Sequence, residues 1–218
     1  MNWQSKPFIR SIQVGRPRAY RTPDRTWRSG ICKERVAGPL RLEKTNLEGD
    51  GQADLKNHGG PDKAVLAYSE SHYPRWQKEL NRMDLTSGGF GENFSVVGLT
   101  EADVCIGDTF RVGEAIIQVS QTRIPCWKLD ARWGIGNLAA RVRETGRSGW
   151  YYRVLQEGIV EENQPLIWME RPYPEWTVAK VNELLHHCKD DREAVRRLAA
   201  CPALADSMRN MMVRRGER

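Results

Sequence analysis

Apolar and polar residues alternate in several short stretches of the first 170 residues, a pattern typical of β-strands with one buried face. The first stretch is Phe8–Val14, and Gly15 and Pro17 follow it as turn residues. Further strands are predicted over residues 26–36, 40–47, 65–68, 104–112, 115–119, 150–155 and 166–170. Many short strands separated by Gly and Pro turns indicate a mainly β fold, a barrel or sandwich, rather than repeated βαβ units.

Helical patterns are sparse within this region. Ser69 or Ser71 is expected to cap a helix that reaches Leu80. Residues 127–133 and 137–144 also have the spacing of short helices. These segments are predicted to be helices at the periphery of the β structure.

The pattern changes near Pro172 and Pro174, after which three short amphipathic helices are predicted. Their starts are expected at Thr177, at Asp190 or Asp191, and at Pro202. The chain is therefore predicted to contain a β domain, residues 1–172, and a small three-helix domain, residues 173–218. Because about 45 residues is close to the lower limit for independent folding, the helices are expected to pack on the main domain or on a second subunit, and a homodimer is predicted.

The composition is that of a globular protein, with 39% hydrophobic and 28% charged residues. No apolar run approaches the roughly 20 residues needed to span a bilayer, so no membrane association is expected. Residues 1–6 lack the apolar core of a signal peptide, and a cytoplasmic protein is predicted. The five cysteines include no Cys-x-x-Cys pair, which argues against a disulfide framework or a zinc-ribbon site.

The net charge of +6 is unevenly distributed along the chain. Residues 1–35 carry nine Lys or Arg against two acids, whereas residues 36–188 carry seventeen against twenty-one. A basic N-terminal segment can hold a phosphate-bearing ligand or contact nucleic acid. A solvated basic surface explains the same charge equally well. The three basic C-terminal helices also permit a helix-turn-helix interpretation, which is the least favoured of these readings.

Residues 122–127, Thr-Arg-Ile-Pro-Cys-Trp, lie between a predicted strand and a predicted helix. Pro125 marks the boundary, because proline fits neither a sheet ladder nor a helix interior. Cys126 is therefore expected at or just before a helix N-terminus, where the helix dipole and the nearby Arg123 favour a thiolate. Such a thiolate can ligate a soft metal or act as a nucleophile. The alternative, a buried structural cysteine, is the more frequent situation for this residue type.

Two glycine-containing loops are candidates for ligand contacts. The first includes His58, Gly59, Gly60 and Lys63, and its glycines allow the backbone to approach a ligand closely. The second, residues 87–93, ends in Glu92 and Asn93. Neither loop has the Walker or Gly-x-Gly-x-x-Gly pattern, so these loops can equally be turns with satisfied polar side chains.

Taken in order, six motifs resemble those of the MOSC proteins, named for the molybdenum cofactor sulfurase C-terminal domain. The motifs are Gly49-Asp50-x-Gln52-Ala53-Asp54, His58-Gly59-Gly60-x-Asp62-Lys63-Ala64, Gly91-Glu92-Asn93, Gly107-Asp108, Thr122-Arg123-x-Pro125-Cys126 and Gly149-Trp150-Tyr151. The resemblance covers roughly residues 8–170. Within the family the chain is most similar to the bacterial hydroxylaminopurine-resistance proteins, which also carry a C-terminal three-helix unit.

The resemblance implies a MOSC-type β-barrel with peripheral helices, in which Cys126 ligates the molybdenum of a pterin cofactor (molybdopterin). It further implies that the cofactor is bound by Ser29, Lys33, His58 and Lys63 through its phosphate, by the loops around Gly59, Gly60 and Asn93, and by Thr122 and Arg123 beside the cysteine. A soft thiolate suits a soft transition metal, which is chemically consistent with this assignment.

The resemblance also implies an activity, the reduction of N-hydroxylated compounds such as hydroxylaminopurine-type base analogues to amines. The sequence contains no flavin, haem or iron–sulfur motif, so a separate reductase is expected to supply the electrons. Two alternatives stay open. Cys126 can instead carry a persulfide for sulfur transfer, or the C-terminal helices can bind nucleic acid, which is the less expected of the two.

Overall fold

The structure is a computed structural model that describes residues 6–22, 25–188 and 190–217, without the side chains of residues 56 and 57. Residues 1–5, on which most of the signal-peptide prediction rests, lie outside this range. The described residues form the strands β1 (Phe8–Val14), β2 (Arg18–Thr22), β3 (Arg25–Ser29), β4 (Glu34–Val36), β5 (Leu40–Leu42), β6 (Val65–Ser69), β7 (Phe94–Val97), β8 (Thr109–Val112), β9 (Ala115–Thr122), β10 (Trp150–Gln156), β11 (Gly158–Val160) and β12 (Ile167–Glu170). They also form the helices α1 (Leu55–His58), α2 (Tyr73–Leu80), α3 (Lys128–Trp133), α4 (Leu138–Thr145), α5 (Val178–His186), α6 (Arg192–Ala199) and α7 (Asp206–Gly216). None of the helices in the described residues has the length and apolar character that crossing a membrane requires.

Eight strands form one sheet in the order β12–β8–β9–β10–β6–β7–β1–β4. Strands β6 and β7 are parallel, and the other neighbouring pairs are antiparallel. The sheet is curled, so that residues near β12 at one edge reach β1 near the other edge. The Leu166 N–H just before β12 donates to the Pro7 carbonyl at 2.8 Å, and the Ile9 N–H of β1 donates to the Gln164 carbonyl at 3.0 Å. These bonds connect the two sides of the sheet into a half-barrel. The predicted mainly β fold with a barrel-like sheet is confirmed.

Alternate residues of the curled sheet point inwards and form the core, as the two-residue period of a strand requires. The inward side chains include Ile9, Ile12, Phe94, Ile117, Val119, Trp150 and Tyr152, all fully buried. The same apolar cluster continues into the C-terminal helices through Val181, Leu184 and Met208. The helices and the half-barrel therefore share one hydrophobic core, which holds them together.

Four predicted boundaries in the β region are wrong. Strand β5 ends at Leu42 rather than at residue 47, and β8 begins at Thr109 rather than at residue 104. The strand predicted over residues 26–36 is divided, because β3 pairs with β2 in a separate hairpin while β4 pairs with β1 in the main sheet. Residues 30–33 turn between these two sheets. Ser69 and Ser71 do not cap α2, since their hydroxyl oxygens lie 2.9 Å apart and pair with each other.

The C-terminal helices follow the predicted caps at two of three starts. The Thr177 hydroxyl accepts from the Lys180 N–H at 3.0 Å, and the Asp191 carboxylate accepts from the Ala194 N–H at 3.0 Å. The third helix begins at Asp206 rather than at Pro202. Residues 202–205 instead form a turn that connects α6 to α7.

Candidate active site

A cleft lies on the face of β6 and β10 that points away from the core. Ala67 and Trp150 face inwards, so their strand neighbours Leu66 and Tyr151, which are directly opposite each other, face the cleft. Its lining also includes Ser29, Gly30, Ile31, Lys33, Gly51, Gln52, Ala53, Asp54, His58, Lys63, Phe90, Gly91, Asn93, Arg123, Ile124, Cys126 and Lys128. The cleft encloses about 660 Å³ of space, including the part open to solvent. Segments far apart in sequence thus meet at one concave surface.

Cys126 lies at the edge of this cleft, in the turn between β9 and α3. The strand ends at Thr122, Pro125 follows in the turn, and α3 begins at Lys128. The turn is fixed from outside by Arg143, whose guanidinium donates to the Pro125 carbonyl at 3.2 Å. The cysteine is partly exposed, and its Sγ lies 3.8 Å from Nε2 of His58. A thiol and an imidazole therefore face each other at the opening of the cleft.

Arg123 lies deeper in the cleft, and its side chain is only partly satisfied. The residue is 6% exposed, and its Nη2 donates to the Phe90 carbonyl at 3.0 Å. Its Nη1 is buried and has no hydrogen-bond partner among the described residues. An unpaired buried guanidinium nitrogen is costly, so this donor calls for an acceptor that a ligand in the cleft can provide.

The Phe90 carbonyl that Arg123 contacts is held in place by Glu92. Glu92 is fully buried and its carboxylate accepts from the Gly88 N–H at 2.5 Å, from the Phe90 N–H at 3.1 Å and from the Ser95 hydroxyl at 3.0 Å. The Tyr73 hydroxyl donates to the same carboxylate. Glu92 therefore organises the second glycine loop from within, rather than facing a ligand.

His58 ends the short helix α1 and is half-buried beside Cys126. Burial lowers the pKa of His58 below its ordinary value, and the positive charges of Lys128 and Arg123 lower it further, while Asp54 opposes the shift. These causes favour the neutral imidazole and make it a weaker base than a free histidine, so the contact orients the thiol rather than removing its proton.

The first glycine loop brings Lys63 to the cleft. Gly60 has a φ of +94°, a backbone conformation that residues with a Cβ rarely adopt. Gly59 precedes it, and neither glycine lines the cleft itself. The Lys63 N–H donates to the Gly60 carbonyl at 2.9 Å, and the lysine side chain is buried. Burial lowers the pKa of Lys63, while the nearby Asp62 and Asp54 carboxylates raise it.

Lys33 and Asn93 meet at a buried carboxylate, Asp50. The Lys33 ammonium forms an ion pair with Asp50 in which both side chains are almost completely buried. Asp50 also accepts from the Gly15 N–H at 2.7 Å and from the Asn93 side-chain amide at 2.8 Å. The Asn93 amide donates in addition to the Gln13 carbonyl at 3.2 Å, and its oxygen accepts from the Leu66 N–H at 3.1 Å. Both predicted cofactor-binding side chains thus line the cleft while being engaged with protein partners.

Ser29 and Thr122 differ in their relation to the cleft. Ser29 is buried at the end of β3 and lines the cleft, and its hydroxyl accepts from the Ile31 N–H at 3.2 Å. Thr122 is fully buried and does not line it. The Thr122 hydroxyl donates to Oδ1 of Asn182 on α5 at 2.6 Å and lies 3.0 Å from the Ser148 hydroxyl. Thr122 thus connects β9 to the C-terminal helices.

The cleft contains residues that were not among the predicted site residues, notably Tyr151 and Lys128. Strand alternation could have identified Tyr151, because a core residue at Trp150 places its neighbour on the opposite face. Lys128 is two residues beyond Cys126 and carries a positive charge at the cleft opening. With Arg123 and Lys63 it gives the lining a positive character, which favours an anionic ligand.

Comparisons with known proteins agree with this architecture. Residues 54–166 match the MOSC domain, and residues 176–217 match the YiiM-like 3-alpha helix domain. A protein named YflK from Bacillus subtilis (strain 168) is 40% identical over 215 residues, which span 99% of this chain and 97% of that protein. A protein named as a reductase from Gibberella moniliformis is 36% identical over 160 residues, 72% of this chain but 28% of that protein.

A solved structure is also similar. The crystal structure of YiiM from Geobacillus stearothermophilus has a TM-score of 0.82 at 37% identity, covering 96% of this chain and 98% of that chain. The matched regions include both the half-barrel and the C-terminal helices. The chain therefore belongs to the MOSC domain family, in the group that also carries a YiiM-like three-helix domain.

Proposed function

We propose that this protein is a molybdenum-cofactor-dependent oxidoreductase that reduces N-hydroxylated compounds, such as hydroxylaminopurine-type base analogues, to amines. Membership of the MOSC family and the relative named as a reductase are consistent with an oxidoreductase. The observation that carries the proposal is the cleft itself. A partly exposed Cys126 lies at its edge, and within it lies the buried Nη1 of Arg123, to which no described residue is hydrogen-bonded.

The donor set of the cleft fits a metal that arrives already bound to an organic cofactor. The described residues contain no group of three or more His, Cys, Asp or Glu side chains placed to hold a metal ion. A bare ion would lack a complete set of protein ligands here. A metal with ligands of its own requires only one further donor, and the thiolate of Cys126 is a suitable soft donor.

The polar lining fits the anionic part of such a cofactor. Arg123 offers a guanidinium N–H that no described residue accepts, and Lys63, Lys128 and the Ser29 hydroxyl lie in the same cleft. Lys33 and Asn93 are assigned an indirect role, because their polar groups already bind Asp50 and hold the adjoining segments. His58 would orient the Cys126 sulfur at the opening of the cleft through their 3.8 Å contact.

When bound, the cofactor would supply the two-electron chemistry that converts an N-hydroxylated amine, two electrons and two protons to the amine and water. The protein's own residues would bind and orient the cofactor and present the substrate to it. We propose two protein partners. A separate reductase would supply the electrons, and a second copy of the chain would form a homodimer.

The proposal is tested by producing the protein in a host that makes the cofactor and measuring molybdenum and pterin per chain. Cys126→Ser is compared with Cys188→Ser, because Cys188 is also partly exposed but lies in the C-terminal domain. Wild type and Cys188→Ser should contain molybdenum and pterin in similar amounts close to one per chain, and Cys126→Ser should lose most of the metal. Full metal occupancy in Cys126→Ser would refute the assigned ligand.

The sulfur-carrier alternative is supported by the partial exposure of Cys126 at the opening of the cleft, where a sulfur donor can reach it. Intact-mass analysis distinguishes the two. A labile added sulfur on Cys126, in protein that takes up no molybdenum in the competent host, would favour the carrier.

Nucleic-acid binding has less support, because basic residues of the C-terminal helices serve internal contacts. The guanidinium of Arg209 donates to the Ala199 carbonyl at 3.2 Å and to the Leu204 carbonyl at 2.9 Å. Arg215 donates to the Leu185 carbonyl at 3.3 Å. We therefore expect the full chain to bind duplex DNA weakly or not at all at low salt.

A further inference from the structure

A second groove opens beside the cleft and is continuous with it through Cys126. The two cavities share Asp54, His58, Lys63, Ile124, Cys126, Lys128 and Tyr151. On its outer side the groove is bounded by Trp127 and by helix α7, through Ser207, Met208 and Met211. A molecule in this groove would lie directly against the cysteine, on the side that faces solvent.

The outer groove has an unusual apolar lining for an open surface. Trp127 is 41% exposed and Met211 is 43% exposed, and both line the groove. Trp127 is nevertheless fixed, because it packs edge-to-face with Trp27, with ring centroids 5.5 Å apart, and the Arg25 guanidinium lies 4.6 Å from its ring centroid. A fixed, exposed aromatic ring beside a polarisable methionine is well suited to contact a flat ring system.

Helix α7 is firmly attached to the strand that carries the site. The Ala205 N–H donates to the Ser120 carbonyl at 2.9 Å, and the Asp206 N–H donates to the Asp62 carboxylate at 3.0 Å. The Ser207 hydroxyl donates to the Gln121 side chain at 3.2 Å. Three consecutive residues at the start of α7 thus bind the end of β9 and the glycine loop, which fixes Met211 relative to Cys126.

We propose that this outer groove is the substrate subsite, and that Trp127 and Met211 select planar, aromatic N-hydroxylated compounds over small aliphatic ones. The inference rests on the proposed function for the chemistry at Cys126, but the binding of a flat ring can be measured separately. On this view the C-terminal helices form one wall of the active site. The residues of that wall act on substrate affinity rather than on the redox step.

The test uses the cofactor-loaded full chain and two substrates, 6-hydroxylaminopurine and N-methylhydroxylamine. Equilibrium binding of the purine is measured by calorimetry, and reduction of both compounds is measured with a chemical electron donor. A base stacks favourably on an aromatic side chain, so Trp127→Ala should weaken purine binding about fivefold or more. Met211→Ala should weaken it about threefold. Trp127→Phe, which keeps an aromatic face, should retain most of the affinity.

Matched controls are available on β12, where Trp168 is 40% exposed and Met169 is 50% exposed, and neither residue lines the cleft or the groove. Trp168→Ala and Met169→Ala should leave purine binding and kcat/KM for both substrates unchanged, whereas Trp127→Ala should lower kcat/KM for the purine by a larger factor than kcat/KM for N-methylhydroxylamine. Equal purine affinity in wild type and Trp127→Ala, or no purine binding by wild type, would overturn the inference.

The inference and the proposed function fail in different ways. If the purine binds in a manner that depends on Trp127 but is not reduced, the subsite is supported and the proposed activity is refuted. If both substrates are reduced and neither responds to Trp127→Ala or Met211→Ala, the activity stands and the subsite is refuted.

Discussion

The buried ion pair between Lys33 and Asp50 makes the most demanding prediction about stability. Both side chains are almost completely buried, at 7% and 0% exposure. Asp50→Ala would leave the Lys33 ammonium buried without its partner, and would remove the acceptor of the Gly15 N–H and the Asn93 amide. Removing one partner of a buried ion pair typically costs about 3–5 kcal/mol. This is a large part of the roughly 5–15 kcal/mol by which a domain is stable.

The assay is urea unfolding followed by the fluorescence of the eight tryptophans. Asp50→Ala should lower the urea concentration at the unfolding midpoint strongly. The slope of the free energy of unfolding against urea concentration should change little. The control is Asp84→Ala, because Asp84 and Arg82 form an exposed pair with 2.8 Å between Nη2 and Oδ2, and exposed pairs contribute little. If Asp50→Ala destabilises the protein no more than Asp84→Ala does, the reasoning about burial is wrong.

The same substitution should also change the pH dependence of stability. Burial already lowers the pKa of Lys33, and Asp50 is the main group that opposes this shift. Without Asp50 the folded-state pKa should fall further, so the unfolded state would bind more protons than the folded state between that pKa and the usual lysine value. Between these two pKa values the free energy of unfolding rises with pH. The destabilisation caused by Asp50→Ala should therefore diminish as the pH is raised towards about 10. A constant loss across this range would contradict the assignment to Lys33.

Three further predictions concern local features of the site. Thr122→Val should lower the free energy of unfolding by about 1–3 kcal/mol, since it leaves the buried Oδ1 of Asn182 on α5 without its donor. Thermal unfolding measures this change, and an unchanged melting temperature would contradict it. In native protein at pH 8, iodoacetamide should modify the partly exposed Cys126 but not the buried Cys105. Burial and a neighbouring carboxylate raise the pKa of Cys105 to about 11. Peptide mass spectrometry measures the labelling of each cysteine, and equal labelling would contradict the prediction. Gly60→Ala should cost about 1–2 kcal/mol through its positive φ alone, since no atom lies within 4 Å of the added Cβ, whereas Gly136→Ala, with equal space and no such φ, should be neutral in the same urea titration.

The sequence predicted the local features of the site well where covalent geometry determines them. Pro125 was expected to separate a strand from a helix, and β9 ends at Thr122 while α3 begins at Lys128. The partly exposed Cys126 lies in the resulting turn. Periodicity likewise predicted most strands of the curled sheet, because one face of each strand has to be buried.

Long-range pairings were beyond such reasoning. Asp50 binds Lys33 and Asn93, which are 17 and 43 residues away, and no local pattern marks a lysine as the partner of a particular carboxylate. The family resemblance implied that Thr122 binds the cofactor. Its strand register instead turns the hydroxyl towards α5, since neighbouring residues on a strand face opposite sides.

Strand β2 was missed for a different reason. Residues 18–22 are mostly exposed and have no apolar face, so the hydrophobic period that reveals buried strands is absent. The strand is stabilised by its register with β3 and by the stacking of Tyr20 on Trp27, with ring centroids 4.7 Å apart. Neither contact can be recognised from one segment alone.

The attachment of α7 through three consecutive residues has a consequence for engineering. Since this helix is bonded to the strand and loop beside the cysteine, a chimaera that grafts the C-terminal helices of a relative onto this half-barrel would exchange part of the pocket along with them. A set of such chimaeras would therefore vary the residues that line the pocket while the half-barrel stays the same. Each grafted helix must keep a hydroxyl able to reach Gln121 and a backbone N–H able to reach Asp62.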